Sequence, residues 1–122
     1  MKRSMMQVFV KGSDKAIEFY KKAFDGKVLC TYPNLDGTLI HSELDVYGQV
    51  MAVSELIDEN TITGNTMMFC LHLGEGKEND IKKIYDILKD EAKIISPLGP
   101  CVYSPLEADL IDKFGIRWCI FV

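Results

Sequence analysis

His41 and Glu43 stand two residues apart in Ile40-His41-Ser42-Glu43-Leu44, a β-prone segment. On a strand, residues i and i+2 point to the same face. An imidazole beside a carboxylate is a general base with its partner, because the carboxylate raises the basicity of the ring. On a solvated sheet face the same pair makes only a structural hydrogen bond. Arg117 and Cys119 flank Trp118 and share a face in the same way. Arg117 offers a forked guanidinium to an anionic group, or to an acid such as Glu43. Cys119 becomes reactive if Arg117 lowers its pKa and is otherwise inert. Trp118 then turns to the core. His72, in Leu71-His72-Leu73, has no catalytic partner nearby in sequence and reads as structural or surface-exposed. Met5, Met51, Met67 and Met68 supply a soft apolar wall or ordinary core. No P-loop, glycine-rich dinucleotide fingerprint, nucleophile elbow or HExxH pair is present. The lysines around Lys82 and Lys83 sit among acids and read as a solvated helix face.

The chain of 122 residues is 48% hydrophobic and 26% charged, so one packed domain is expected. A net charge of −4 argues against nucleic-acid binding. No apolar run reaches the roughly 18–20 residues of a membrane span. The basic start Met1-Lys2-Arg3 is not followed by the apolar stretch of a secretory signal. Cys30, Cys70, Cys101 and Cys119 form no CxxC pair, so reduced thiols and a cytoplasmic location are expected. Each sits among apolar or β-prone neighbours and reads as a small hydrophobe.

The elements that position these residues follow from periodicity. Gln7–Val10 reads as a strand, and Gly12-Ser13-Asp14 breaks it and offers an N-cap. Ala16, Ile17, Tyr20, Ala23 and Phe24 recur at helical spacing, predicting a helix over Asp14–Phe24 that ends at Asp25-Gly26, with Gly26 suited to a left-handed residue. Strands follow at Lys27–Tyr32, Thr38–Tyr47 and Val50–Glu55, separated by turns at Pro33–Gly37 and Gly48. After a polar connection over Leu56–Asn65 the pattern repeats. Thr66–Leu73 is a strand, and Ile81, Ile84, Tyr85 and Leu88 mark a helix over Asp80–Lys89. Ala92–Ser96 is a short strand and Pro97–Pro100 a breaker cluster. Cys101–Leu110 is extended, with a bend, bulge or edge at Pro105. Asp112–Gly115 is a turn and Ile116–Val122 the last strand. The chain therefore reads as two βαβββ units of an α+β fold, each burying a helix against a sheet.

Several of these pieces together resemble the vicinal oxygen chelate superfamily of glyoxalases, bleomycin-resistance proteins and extradiol dioxygenases. The segment Ala16-Ile17-Glu18-Phe19-Tyr20-Lys21-Lys22-Ala23-Phe24 resembles the first-helix signature of its PhnB-like branch. Ile40–Leu44 resembles that branch's third strand. Asp112-Lys113-Phe114-Gly115-Ile116-Arg117-Trp118 is similar to its D-P-F-G-x-x-W ending, with Lys113 in place of proline. The resemblance spans essentially the whole chain. It implies a single domain of two modules, about 1–57 and 64–122, whose curved mixed sheet surrounds a cleft, and commonly a homodimer.

In metal-dependent relatives, ligands come from the first and last strands of the modules. The resemblance places those positions at Met5, near Met67, at Cys119, and near Val53 with Glu55 the nearest carboxylate. Thioether and thiol sulfur are poor substitutes for carboxylate or imidazole, so no metal and no other cofactor is expected. The expected function is metal-free binding of a small molecule, with His41, Glu43, Arg117, Met5, Met67 and Cys119 as the ligand-binding candidates. One alternative is a glyoxalase-type lyase or isomerase with a displaced metal site on His41, Glu43 and Glu55. Another is a structural or regulatory dimer whose cleft is filled by its own side chains. A methyltransferase label sometimes attached to this branch finds no methyl-donor nucleotide motif in the chain.

Overall fold

The stripe Ala16, Ile17, Tyr20, Ala23 and Phe24 is buried along one face of helix α1 (Ser13–Phe24) in the computed structural model, which describes residues 1–122. The chain divides into two compact units, Met1–Thr61 and Ile62–Val122. In the first, α1 follows β1 (Met6–Val10) and precedes β2 (Lys27–Pro33), β3 (Leu39–Val46) and β4 (Gln49–Glu55). The strands lie in the order β1-β4-β3-β2. β1 runs parallel to β4, and the other neighbours are antiparallel. The second unit repeats this plan with β5 (Phe69–His72), α2 (Glu78–Leu88), β6 (Lys93–Gly99), β7 (Glu107–Ile111) and β8 (Arg117–Phe121), ordered β5-β8-β7-β6. The expected α+β class and doubled βαβββ order are those of the structure. No helix is long and apolar enough to cross a membrane.

In the first unit, α1 packs on β1, β3 and β4. The core it helps to close includes Val8, Val10, Leu44, Val46, Met51 and Val53. In the second, Ile81, Ile84 and Leu88 of α2 are buried, as are Leu110, Trp118 and Ile120 of the sheet. The Asp112 carboxylate accepts from the backbone N–H groups of Phe114 and Ile116 at 2.9 and 3.0 Å and from Trp118 Nε1 at 2.9 Å. One side chain thus closes the β7–β8 turn and satisfies the indole N–H, which a buried tryptophan requires.

Local chemistry departs from expectation in three places. The start of α1 is capped from a distance. Gly12 is the N-cap residue with no side-chain cap of its own, and Glu55 at the end of β4 accepts from the N–H groups of Gly12 and Ser13 at 3.2 and 2.9 Å. At the other end, Asp25 and not Gly26 takes the left-handed conformation, at φ 48°. Gly26 is needed for space: a Cβ there would lie 2.8 Å from the carbonyl oxygen of Asp45 and 2.9 Å from the Leu44 side chain. Finally, β6 continues through Pro97 to Gly99 instead of stopping before it. It is an edge strand with a register shift between Ser96 and Gly99, where a missing N–H is tolerated.

Because backbone and a fully buried leucine crowd Gly26, Gly26→Ala should destabilise the protein by about 1–3 kcal/mol, read as a lower denaturant midpoint at unchanged slope.

Candidate functional site

Strands β2 and β3 bring four functional side chains to one face of the first sheet. Tyr32 pairs with His41 and Cys30 with Glu43 across the two strands. Direct cross-strand partners share a face, as do residues two apart. The His41 ring lies 6.3 Å from that of Tyr32, and its Nε2 lies 3.1 Å from Glu43 Oε1. One donor atom from each of Cys30, His41 and Glu43 falls within 4.8 Å of the others.

Glu43 is buried at 7% exposure, and Arg3 is its principal partner. The Arg3 guanidinium donates in a fork, Nη1 to Oε2 at 2.9 Å and Nη2 to Oε1 at 2.7 Å. The hydrogen bonds from Arg3 and His41 hold the Glu43 carboxyl down to about 2 against the upward push of burial. The site therefore presents an ionised carboxylate with an imidazole beside it.

Glu55 belongs to the helix and not to this group. Besides the two backbone N–H groups it accepts the Ser13 hydroxyl at 2.8 Å, and that hydroxyl accepts the Leu39 N–H at 2.8 Å. Burial raises the Glu55 pKa, but the hydrogen bonds from Ser13 and Gly12 outweigh it and leave the carboxyl below its ordinary value. Of the alternative trio His41, Glu43 and Glu55, the first two lie together, and Cys30 rather than Glu55 lies beside them.

The second unit uses its sequence candidates differently. Arg117 is an ion-pairing residue whose acid is Asp109: Nε donates to Oδ1 at 3.1 Å and Nη2 to Oδ2 at 2.8 Å. Its Nη1 donates to the carbonyl of Asn65 at 2.7 Å. Cys119 pairs directly with Cys70 across β5 and β8. Its sulfur lies 3.6 Å from the Tyr103 hydroxyl and donates to Glu107 Oε1 at 3.7 Å. Burial pushes the Cys119 thiol up to about 12, with Cys70 and Glu107 adding to the shift, so it stays protonated at neutral pH. His72 is exposed and stacks on Phe121 at 4.4 Å between ring centroids. Met5, just before β1, is 38% exposed and Met67, before β5, is 80% exposed. The positions that resemblance assigns to the family's metal thus carry two thioethers, a protonated thiol and, at Val53, a fully buried apolar side chain. That set does not fit a zinc, nickel or iron ion.

Arg3 and Cys30 were not among the sequence candidates. Nothing in spacing signals Arg3, which reaches Glu43 across forty positions from the segment before β1. Cys30 gave no signal either: register shifts between Val28 and Cys30 and between Tyr32 and Pro33 set its place opposite Glu43, and unbroken counting back from the turn would put it opposite Ser42.

Mixed four-stranded sheets in βαβββ units, one bearing a polar donor group, define a protein of the glyoxalase and bleomycin-resistance type. The sequence profile of the Glyoxalase/Bleomycin resistance protein/Dioxygenase superfamily matches residues 3–120, and the chain belongs to that superfamily. No curated protein sequence matches it. Among solved structures it is similar to a putative 3-demethylubiquinone-9 3-methyltransferase, PhnB protein, from Bacillus cereus, with TM-score 0.84, 22% identity, and coverage of 99% of this chain and 98% of that one. It is also similar to PA1353 from Pseudomonas aeruginosa, with TM-score 0.79, 15% identity, and coverage of 99% and 97%. The fosfomycin resistance protein FosX from Listeria monocytogenes matches with TM-score 0.71, 10% identity, and coverage of 98% and 91%. At these identities the likeness is one of fold.

Removing the fork should release Glu43. In Arg3→Ala its carboxyl should titrate above the value of about 2 that it has beside Arg3, as followed by carbon NMR of the side chain. A carboxyl depressed on folding adds stability that is complete above its unfolded pKa and is lost as pH falls through the folded one. Acid destabilisation of the wild type between about pH 4.5 and 2 should therefore be partly absent in Arg3→Ala.

Proposed function

We propose that the chain is a small-molecule-binding member of the superfamily that works without the family's usual metal set. His41 and Glu43 are its orienting polar groups, and the ligand is a small carbonyl or anionic compound. The observation that carries this reading is the state of Glu43. A buried carboxylate is fixed by a forked arginine while His41, with 31% of its side chain exposed, stays open beside it. A fixed acceptor behind a reachable imidazole orients a ligand by one or two polar contacts, and the exposed Tyr32 ring adds an apolar side. A mutant FosX solved with Mn(II) and 1S,2S-dihydroxypropylphosphonic acid supports the suitability of the fold for small anionic molecules. Arg117, whose guanidinium is committed to Asp109 and Asn65, contributes by holding β8 in place.

Ligand-observed NMR with methylphosphonate, lactate and the glutathione hemithioacetal of methylglyoxal, in the presence of a chelator, tests the reading. At least one should bind, and His41→Ala should weaken it by about tenfold, roughly one lost charge-assisted contact, with an unchanged melting temperature. Failure of all three, or binding indifferent to His41→Ala, sinks it. Turnover of the hemithioacetal would favour instead the glyoxalase-type reading, for which the His41–Glu43 pair supplies a base and its partner.

We also propose that the chain pairs with a second copy of itself. Leu29 and Tyr32 on the edge strand β2, and Ile94 and Ile95 on the edge strand β6, are exposed apolar side chains on open edges. Light scattering at micromolar concentration should give twice the chain mass; a monomer at all concentrations counts against it.

A further inference from the structure

We infer that Cys30, His41 and Glu43 form a binding site for a zinc-like divalent ion, at positions other than those of the family's usual ligands. The backbone of β2 is shaped to bring them together. Val28 pairs with Leu44, but the next partner of β3 on this strand, opposite Glu43, is Cys30 and not Leu29. A bulge therefore inserts one residue. An extra residue moves every later side chain to the opposite face. In unbroken register Leu29 would face Glu43 and the thiol would point the other way. The bulge exchanges an apolar side chain for a sulfur donor beside an imidazole and a carboxylate.

The distances suit such an ion. Zinc bonds of about 2.0–2.1 Å to nitrogen and oxygen in a tetrahedron give a donor–donor edge of roughly 3.3 Å. His41 Nε2 and Glu43 Oε1 are 3.1 Å apart, so a metal enters with almost no movement of either. A zinc–sulfur bond of about 2.3 Å asks for sulfur edges of roughly 3.6 Å. The Cys30 sulfur already lies within 4.8 Å of both other donors and closes the gap by turning about χ1. One thiolate, one carboxylate and one neutral imidazole neutralise a divalent charge, and this mixed soft and hard set selects zinc over magnesium or calcium. Arg3 orients the carboxylate. Oε1 passes from Nη2 to the metal, while Oε2 keeps its 2.9 Å bond to Nη1. Three protein donors leave a fourth position for water or another small ligand. The inference stands apart from the ligand reading above, whose binding is measured under chelation.

Cobalt(II) titrated into the full chain, without added small molecules, tests it. The expected result is one equivalent bound, with visible bands of tetrahedral intensity and a thiolate-to-cobalt charge-transfer band in the near ultraviolet, both removed by zinc. Cys30→Ser should abolish the charge-transfer band. His41→Ala should weaken binding by at least about tenfold. The double variant Cys70→Ser, Cys119→Ser should keep the band. A second measurement uses unaltered protein: zinc should slow alkylation of Cys30, read peptide by peptide, and leave Cys70 and Cys101 unaffected. No saturable band in the wild type, a band that survives Cys30→Ser, a band lost in the double variant, or alkylation of Cys30 indifferent to zinc would each overturn the assignment.

Discussion

Each unit is organised around a strand that must be covered on both faces. In β4 the consecutive residues Met51, Ala52, Val53 and Ser54 are all buried, and in β8 so are Trp118, Cys119 and Ile120. Such a strand has to lie inside its sheet, so it takes the parallel β1 or β5 on one side and the antiparallel β3 or β7 on the other. That placement forces the helix to cross between the first strand and the rest, and it makes every polar group near the centre need a partner. The Ser42 hydroxyl donates to the Val53 carbonyl at 2.7 Å, and Gln7 Nε2 donates to the Ser54 hydroxyl at 3.1 Å. No buried side-chain nitrogen or oxygen lacks a hydrogen-bond partner. The site is a consequence of this frame, because Glu43 sits directly opposite Ala52 in the row that crosses the central strand.

A carboxylate at that depth costs free energy unless its charge is answered. In the first unit the answer comes from Arg3, outside any strand. In the second, the acid at the matching register is Asp109, opposite Cys119, and its arginine comes from β8 itself. The two pairs differ in their hold on the cation. The Arg3 side chain is 45% exposed and that of Arg117 is 23% exposed. Arg117 is placed by the ladder of a central strand, whereas Arg3 lies on the segment before β1 and reaches Glu43 through its side chain. One ion pair is thus built within a sheet ladder, and the other is closed by a residue outside any strand.

Much of the fold was legible because burial in the helices leaves a period and residue types alternate along β3, although Leu39 and Glu43 are buried there and Ile40 is exposed. Ser42, Leu44 and Val46 alternate with more polar residues, and Ile81, Ile84 and Leu88 repeat at helical spacing. Errors fell where the deciding interaction is long-range. Glu55 caps a helix that begins more than forty residues earlier, so Gly12-Ser13-Asp14 looked self-sufficient. Pro97 reads as a breaker until its place on an edge strand is known. At the site, the sharing of a face by His41 and Glu43 follows from strand periodicity alone. Arg3 carries no local signal. Cys30 was hidden by the bulge, because alternation along β2 does not show on which face a residue after an inserted position will fall.

The matching rows of the two units also show how one backbone supports opposite electrostatics. Around Glu43, an arginine fork and an imidazole supply enough hydrogen-bond donation to overcome burial, and the group stays charged. Around Cys119 the hydrogen-bonding and charged neighbours are a thiol, a phenol and a carboxyl, and the nearby Arg117 guanidinium is bound by Asp109. Burial then wins: the Cys119 thiol and the Glu107 carboxyl are both raised, and the Tyr103 hydroxyl is raised further by its contact with the sulfur and by burial. The Cys119 thiol, protonated at neutral pH, lacks the nucleophilicity and metal affinity of a thiolate. The charged group beside open polar side chains is thus on the face carrying Cys30, His41 and Glu43, whereas the Cys70–Cys119 row carries a thiol that is protonated at neutral pH.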